Sequence, residues 1–373
     1  MQDMKNDTVT IVAVGDIFLG EHPFTLNHGV TTVAKKEGCD FLFAKIKEYL
    51  KDGDIVCGNL EGIISPKRKS EKGIKSAIFW GEPGCADAMK GAGFNCLFLA
   101  NNHTAQHGVD ALERTCRLLD KNEIKWTGFN PSIPEKPIPV NFNIRGINVG
   151  LLAYCETQQY HLDTPILPLI NNKNIKNDIE KLKKECDVII ISLHWGDEFI
   201  EYPSPKQVKL AHEIIDSGAH LILGHHSHTM QGIEQYKDGL IVYSLGSFVK
   251  DLWRKELRES VILNCELTTE GVKKFSILPI FINVQYQPEI YAGQAGKEFM
   301  KQFEYLSEKI YKHNLYDSNE IQKKYARKVK ELESMDKLDN TKHYLQNIFR
   351  YDKKLLFENI ILIFKRRIYK KNI

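Results

Sequence analysis

Five short apolar runs in this chain each break off into a residue suited to binding a metal, and that repeated ending constrains the fold more than any single motif. Residues 8–14 lead into Gly15-Asp16, and 54–57 into Gly58-Asn59-Leu60-Glu61. Residues 94–100 open into Asn101-Asn102-His103, 187–193 into His194, and 221–223 into Gly224-His225-His226-Ser227-His228. Short β-branched or leucine-rich runs bounded by glycine or polar residues read as buried strands that open into loops. In open α/β sheets, ligand sites gather beyond the carboxyl ends of the strands. Runs ordered this way predict strands whose ends meet around one site.

The last run is the densest, with three imidazoles in four residues. Neutral imidazole is a common ligand for first-row metals, and carboxylate and amide oxygens complete such sites. Glycine before the cluster suggests a sharp turn, which would aim alternate side chains at one point. Taken singly, each group has a plainer reading. Gly-Asp after a strand is common, Asn-Asn-His can be a capped turn, and a lone His194 in apolar surroundings can be a satisfied core residue. Their joint occurrence at successive strand ends is what favours a metal site.

Between these runs the pattern alternates strand and helix. Helices are expected over 41–50, 83–92, 109–120, 174–185 and 206–217, and paired strands over 138–142 and 147–154. Further strands at 232–235, 240–245, 261–267 and 272–282 are joined by glycine turns. The expected class is α/β, with two packed sheets and helices outside. From about residue 292 helix formers and charges dominate, which suggests one domain over 1–288 and a helical, charged extension over 289–373. Residues 65–76 form a basic loop, a solvated face or a cover over one end of the site. Residues 355–373 mix apolar and basic side chains as a basic amphipathic helix. Such a helix can lie on an anionic membrane surface or pack on its own domain.

The charge balance, 51 basic against 48 acidic residues, is too even to suggest a nucleic-acid partner. The eight cysteines form no CxxC pair, and several lie in apolar runs, as buried thiols of a reducing compartment do. Neither a signal-peptide pattern nor an apolar run near the ~20 residues of a membrane span is visible. The expected location is therefore cytoplasmic, with peripheral membrane contact through 355–373 as an option.

Six segments then resemble one family: Gly15-Asp16-Ile17-Phe18-Leu19-Gly20, Gly58-Asn59-Leu60-Glu61-Gly62, Ala100-Asn101-Asn102-His103, His194-Trp195-Gly196-Asp197-Glu198-Phe199, Gly224-His225-His226-Ser227-His228 and Tyr243-Ser244-Leu245-Gly246-Ser247-Phe248. Together they resemble the CapA family of capsule and poly-γ-glutamate synthesis proteins, within the calcineurin-like metallophosphoesterase superfamily. The resemblance implies a four-layer αββα sandwich. It also implies a site for divalent metal ions, one or two, of Mn, Fe or Zn. Asp16, Glu61 and His228 would hold one ion, and Glu61, Asn102, His194 and His226 the other, with His225 a further candidate.

His103 would serve the leaving group. Glu198, close to His194, is a second catalytic candidate that could also complete a ligand set, or could be a surface carboxylate. Phe18 stands where the superfamily has a histidine, Glu61 where it has aspartate, and Ser247 where CapA proteins commonly have asparagine. The implied role is surface-polymer synthesis, through metal-dependent hydrolysis of a phosphoester or γ-glutamyl amide or as a non-catalytic accessory protein. The partners expected are an anionic polymer or phosphoester and the polymer-synthesis machinery.

Overall fold

The computed structural model describes residues 8–65, 78–156, 166–312 and 319–351, with 357 and 361 besides. Most of the basic loop, and nearly all of the 355–373 segment, lie outside the described residues. In chain order the first strands are β1 (Val9–Ile17), β2 (Ile55–Leu60), β3 (Ile63–Ile64), β4 (Trp80–Gly81), β5 (Cys96–Phe98) and β6 (Lys125–Thr127). There follow β7 (Val140–Ile144), β8 (Ile147–Cys155), β9 (Val188–His194), β10 (Leu221–His225), β11 (Ile233–Tyr236) and β12 (Gly239–Val242). The last are β13 (Ser247–Val249), β14 (Glu259–Thr268), β15 (Gly271–Ile282) and β16 (Pro288–Ile290). The helices are α1 (Val30–Glu37), α2 (Cys85–Ala92), α3 (Val109–Lys121), α4 (Asn172–Leu182), α5 (Pro205–Asp216), α6 (Gly293–Lys312) and α7 (Asn319–Gln346).

One sheet runs β16-β15-β14-β1-β2-β5-β6, with β13 pairing alongside β1. The other runs β11-β12-β10-β9-β8-β7. β1, β2, β5 and β6 are mutually parallel, and so are β8, β9, β10 and β12. Sequence alternation explains how the sheets stack. Leu221 and Leu223 of β10, with Val188 and Ile190 of β9, join the core shared with the first sheet. Their neighbours Ile222, Ile189 and Ile191 join Ile175 and Ile179 of α4 and Ile214 of α5 in a separate cluster. A strand whose alternate side chains are all apolar is covered on both faces. Helices α1–α3 contribute to the core of the first sheet, completing the αββα layering that the resemblance implies.

Local chemistry sets several boundaries. Ser204 and Gln207 form a reciprocal capping box at the start of α5, with Pro205 in its first turn. Arg145 and Gly146 both take positive φ, 53° and 90°, in the two-residue turn joining β7 to β8. The helix expected over 41–50 is instead a pair of short 3-10 turns, Cys39–Phe43 and Lys47–Tyr49. Its apolar spacing marks burial correctly, since Leu42, Phe43, Ile46 and Leu50 are all in the core, but the segment is cut into pieces too short for α-helix. Helix α1 and strands β13 and β16 carry no strong pattern in the sequence.

Helices α6 and α7 pack on the sandwich. Phe299, Phe303 and Leu306 of α6 enter the central core, and Tyr344 of α7 meets Phe18 and Leu26 in a smaller cluster. Among the described residues no helix is long and apolar enough to cross a membrane. All eight cysteines are free thiols.

Candidate metal centre

The carboxyl ends of the parallel strands of both sheets open onto one place. Asp16 comes from the end of β1, Glu61 from the residue after β2, and Asn102 and His103 from the loop after β5. His194 ends β9, and His225 ends β10. Gly224 does not turn the chain, contrary to expectation: it lies within β10 and pairs with Leu193 of β9. It is glycine because a Cβ there would sit 1.9 Å from the Tyr243 carbonyl oxygen. The turn comes afterwards, at His226 and His228, whose φ values are 93° and 58°. Non-glycine residues seldom adopt such angles, and they collect at functional sites.

Asp16 is the hub. It is fully buried, and Asn59 Nδ2 donates to its Oδ1 at 2.7 Å. The backbone N–H of His226 donates to Oδ2 at 3.2 Å, and His228 Nδ1 lies 3.1 Å from the same oxygen. His225 Nδ1 lies 3.4 Å from Oδ1. Burial alone would raise the Asp16 carboxyl. The hydrogen bonds from His225 and His228 and the surrounding imidazoles hold it well below the usual carboxylate range.

Next to this hub, His194 Nε2 lies 3.0 Å from Asn102 Oδ1, and its Nδ1 lies 3.2 Å from Asn59 Nδ2. Burial and the neighbouring rings of His226, His225 and His228 push His194 far below its ordinary value, so it is a neutral nitrogen base. The rings of His194 and His226 are 4.7 Å apart. His103 stacks on Phe79 at 4.1 Å, its Nδ1 lies 3.1 Å from Gln106 Oε1, and its Nε2 lies 3.7 Å from Glu61 Oε1. Burial pushes the His103 imidazole down to about 4. Glu198 is partly exposed at the mouth. Burial would raise its carboxyl, but His226, His228 and Lys250 draw it below the ordinary value.

The arrangement suits a cation. Ligand atoms of Asp16, Glu61 and His228 lie within 4.8 Å of one another, and so do those of Glu198, His226 and His228. Glu61 Oε1 and His226 Nδ1 are buried with no hydrogen-bond partner among the described residues. Buried lone pairs left unmatched are costly unless something outside the chain completes them. All of the anticipated residues therefore converge: Asp16, Glu61, Asn102, His103, His194, Glu198, His226 and His228. Asn59, expected beside Glu61 as a metal-compatible group, instead orients Asp16; sequence reasoning missed Lys250. The buried Lys250 ammonium lies 2.6 Å from Glu61 Oε2 and 2.9 Å from His228 Nε2. A charged residue immediately after the buried Ser247–Val249 strand was the available signal.

A cavity of about 730 Å³ opens onto His194 and His226. One wall is the start of α5, with Lys206 and Gln207, and another is α7, with Tyr325, Val329 and Lys330.

Behind the centre, Asp251 is buried and accepts from the His22 N–H at 2.7 Å and from the Thr25 hydroxyl. Burial pushes its carboxyl up to about 7 from an ordinary 3.8. Between those values the folded protein holds a proton that the unfolded chain releases, so stability is greatest at the acid end and falls as pH rises toward 7. The expected slope is roughly 1 kcal/mol per pH unit. Urea titrations at pH 5 and 7 check it. Asp251→Asn should flatten the difference, and an equal slope in both proteins would refute this assignment.

The family model described as bacterial capsule synthesis protein PGA_cap matches residues 10–252. The capsule biosynthesis protein CapA of Bacillus anthracis is 29% identical over 74% of this chain and 68% of its own length. The PGA biosynthesis protein CapA of Bacillus subtilis (strain 168) is 27% identical over 75% of this chain and 73% of its own. Among solved structures, a hypothetical protein from Thermus thermophilus matches 72% of this chain and 98% of its own, at 12% identity and a TM-score of 0.45.

Proposed function

Because the chain belongs to the PGA_cap family of bacterial capsule synthesis proteins, we propose that it acts in the metabolism of an anionic surface polymer as a metal-dependent hydrolase. The scissile bond would be a phosphoester or a γ-glutamyl amide. Relatives named for capsule and PGA biosynthesis support the setting. The observation that carries the chemistry is the pair of unmatched buried lone pairs, Glu61 Oε1 and His226 Nδ1, beside a neutral His194.

Asn102, His194, His226 and Glu61 Oε1 would hold a divalent ion, and such an ion lowers the pKa of water and polarises a phosphoryl or carbonyl oxygen. The mixed oxygen and nitrogen donors suit Mn, Fe or Zn. His103 does the proton work. Its Nδ1 lies 3.1 Å from Gln106 Oε1 and stacking on Phe79 fixes the ring, so that Nε2 faces the centre, 3.7 Å from Glu61 Oε1. With its imidazole neutral at physiological pH, His103 would accept at Nε2 the proton given up by the attacking water and pass it to the leaving group. The cavity wall carries both signs of charge, Lys206 and Lys330 standing with Glu156, Asp197 and Glu333.

The test supplies Mn, Fe or Zn in turn and measures release of product from a phosphodiester, a phosphomonoester and γ-linked polyglutamate. Turnover that needs the ion, and that falls about 10²-fold in His103→Ala with ion content unchanged, is the expected result. A protein that binds its ion yet turns over none of these overturns the hydrolase reading. It would leave the second one, a metal-binding accessory role in polymer synthesis. That reading draws on Phe18, which brings no lone pair to the centre, and on the Lys250 ammonium set against Glu61 and His228.

A further inference from the structure

The two groups able to hold an ion are not equivalent, because one already contains a cation. Lys250 Nζ donates to Glu61 Oε2 at 2.6 Å and lies 2.9 Å from His228 Nε2. It also stands 5.3 Å above the Phe18 ring, whose electron-rich face favours a positive charge. His228 Nδ1 faces Asp16 Oδ2 at 3.1 Å, so both of its ring nitrogens are engaged. Of the Asp16, Glu61 and His228 group, Glu61 Oε2 and His228 Nε2 thus face an ammonium, and the Asp16 oxygens face Asn59, the His226 N–H and His228. Glu61 Oε1, by contrast, has no hydrogen-bond partner among the described residues, and neither has His226 Nδ1.

We infer that the Lys250 side chain occupies the Asp16–Glu61–His228 position as a built-in cation. The chain would then take up a single divalent ion, which His226, with the neighbouring His194 and Asn102, would hold. A second divalent ion at the lysine's position would have to displace the ammonium from a buried carboxylate, or share the pocket with it against charge repulsion. A tethered ammonium has directional N–H donors and no open coordination position. It can hold Glu61 and His228 in place and neutralise charge, but it cannot activate a water. The inference deepens the metal-binding part of the proposed function and is independent of whether hydrolysis is found.

The experiment is manganese loading of the full chain, read by elemental content and by electron paramagnetic resonance. The proteins compared are wild type, Lys250→Ala, Lys250→Gln and Lys250→Arg, each with circular dichroism to confirm folding. Wild type and Lys250→Arg should bind one Mn²⁺ per chain and give an isolated six-line spectrum. At least one of the neutral variants should bind two and show the broadened spectrum of a coupled pair. Two ions in the wild type overturn the inference, whether or not the variants fold. So does a single ion in every neutral variant that folds. No ion in any of the four proteins defeats the metal reading itself, and this inference with it.

Discussion

Replacing Asp16 with alanine is expected to abolish stoichiometric metal uptake and to destabilise the ion-free protein by about 3–5 kcal/mol. The carboxylate accepts from Asn59 Nδ2 and the His226 N–H, and faces the ring nitrogens of His228 and His225. Removing it strands several buried polar groups together. Each unmatched group costs about 1–3 kcal/mol, and the sum is reduced by whatever water can enter. Loss of ion binding follows separately, because Asp16 brings a buried negative charge to the centre and helps tie the His226–His228 loop to the first sheet. Asp16→Asn separates the two effects. It keeps the shape and one acceptor oxygen, so it should recover more than half of the stability while ion affinity stays at least 10²-fold weaker. Denaturant unfolding and isothermal titration with Mn²⁺ measure both quantities. An Asp16→Ala protein that binds its ion normally would show that the hub serves folding alone.

Gly224→Ala should cost about 4 kcal/mol or more, the range reached only when a core position has no room to adjust. The added methyl would meet the Tyr243 carbonyl oxygen at 1.9 Å and its carbon at 2.4 Å, both backbone atoms of a buried segment. Side chains can change rotamer, but this obstacle can move only with the strand. The same tight approach recurs where a Cβ on Gly15 would fall 2.0 Å from the Gly246 carbonyl oxygen. The mutant is expected in the insoluble fraction or with a midpoint far below that of wild type. A soluble Gly224→Ala with an unchanged midpoint would mean that the strands pack less closely here than described.

The sequence was most readable where hydrophobic runs ended. Five apolar runs with polar endings gave the strands that converge on the centre, because a buried strand must be apolar until the point where it meets a ligand. It was least readable where structure depends on distant backbone. Gly224 resembled a turn glycine, since nothing local records that residue 243 passes beside it. The 41–50 segment had the right buried residues and the wrong helix type, because periodicity reports which face is inside and not how tightly the backbone winds. Lys250 was passed over for a related reason. A lysine beside a strand is usually a solvated one, and only the fold brings it between Glu61 and His228.

One wall of the cavity is made by α7, which lies beyond the residues that the family model matches. The centre is thus encoded in one stretch of the gene and part of its doorway in another. A change in the later stretch alters which molecules can reach His194 and His226 without disturbing the residues that would act on them.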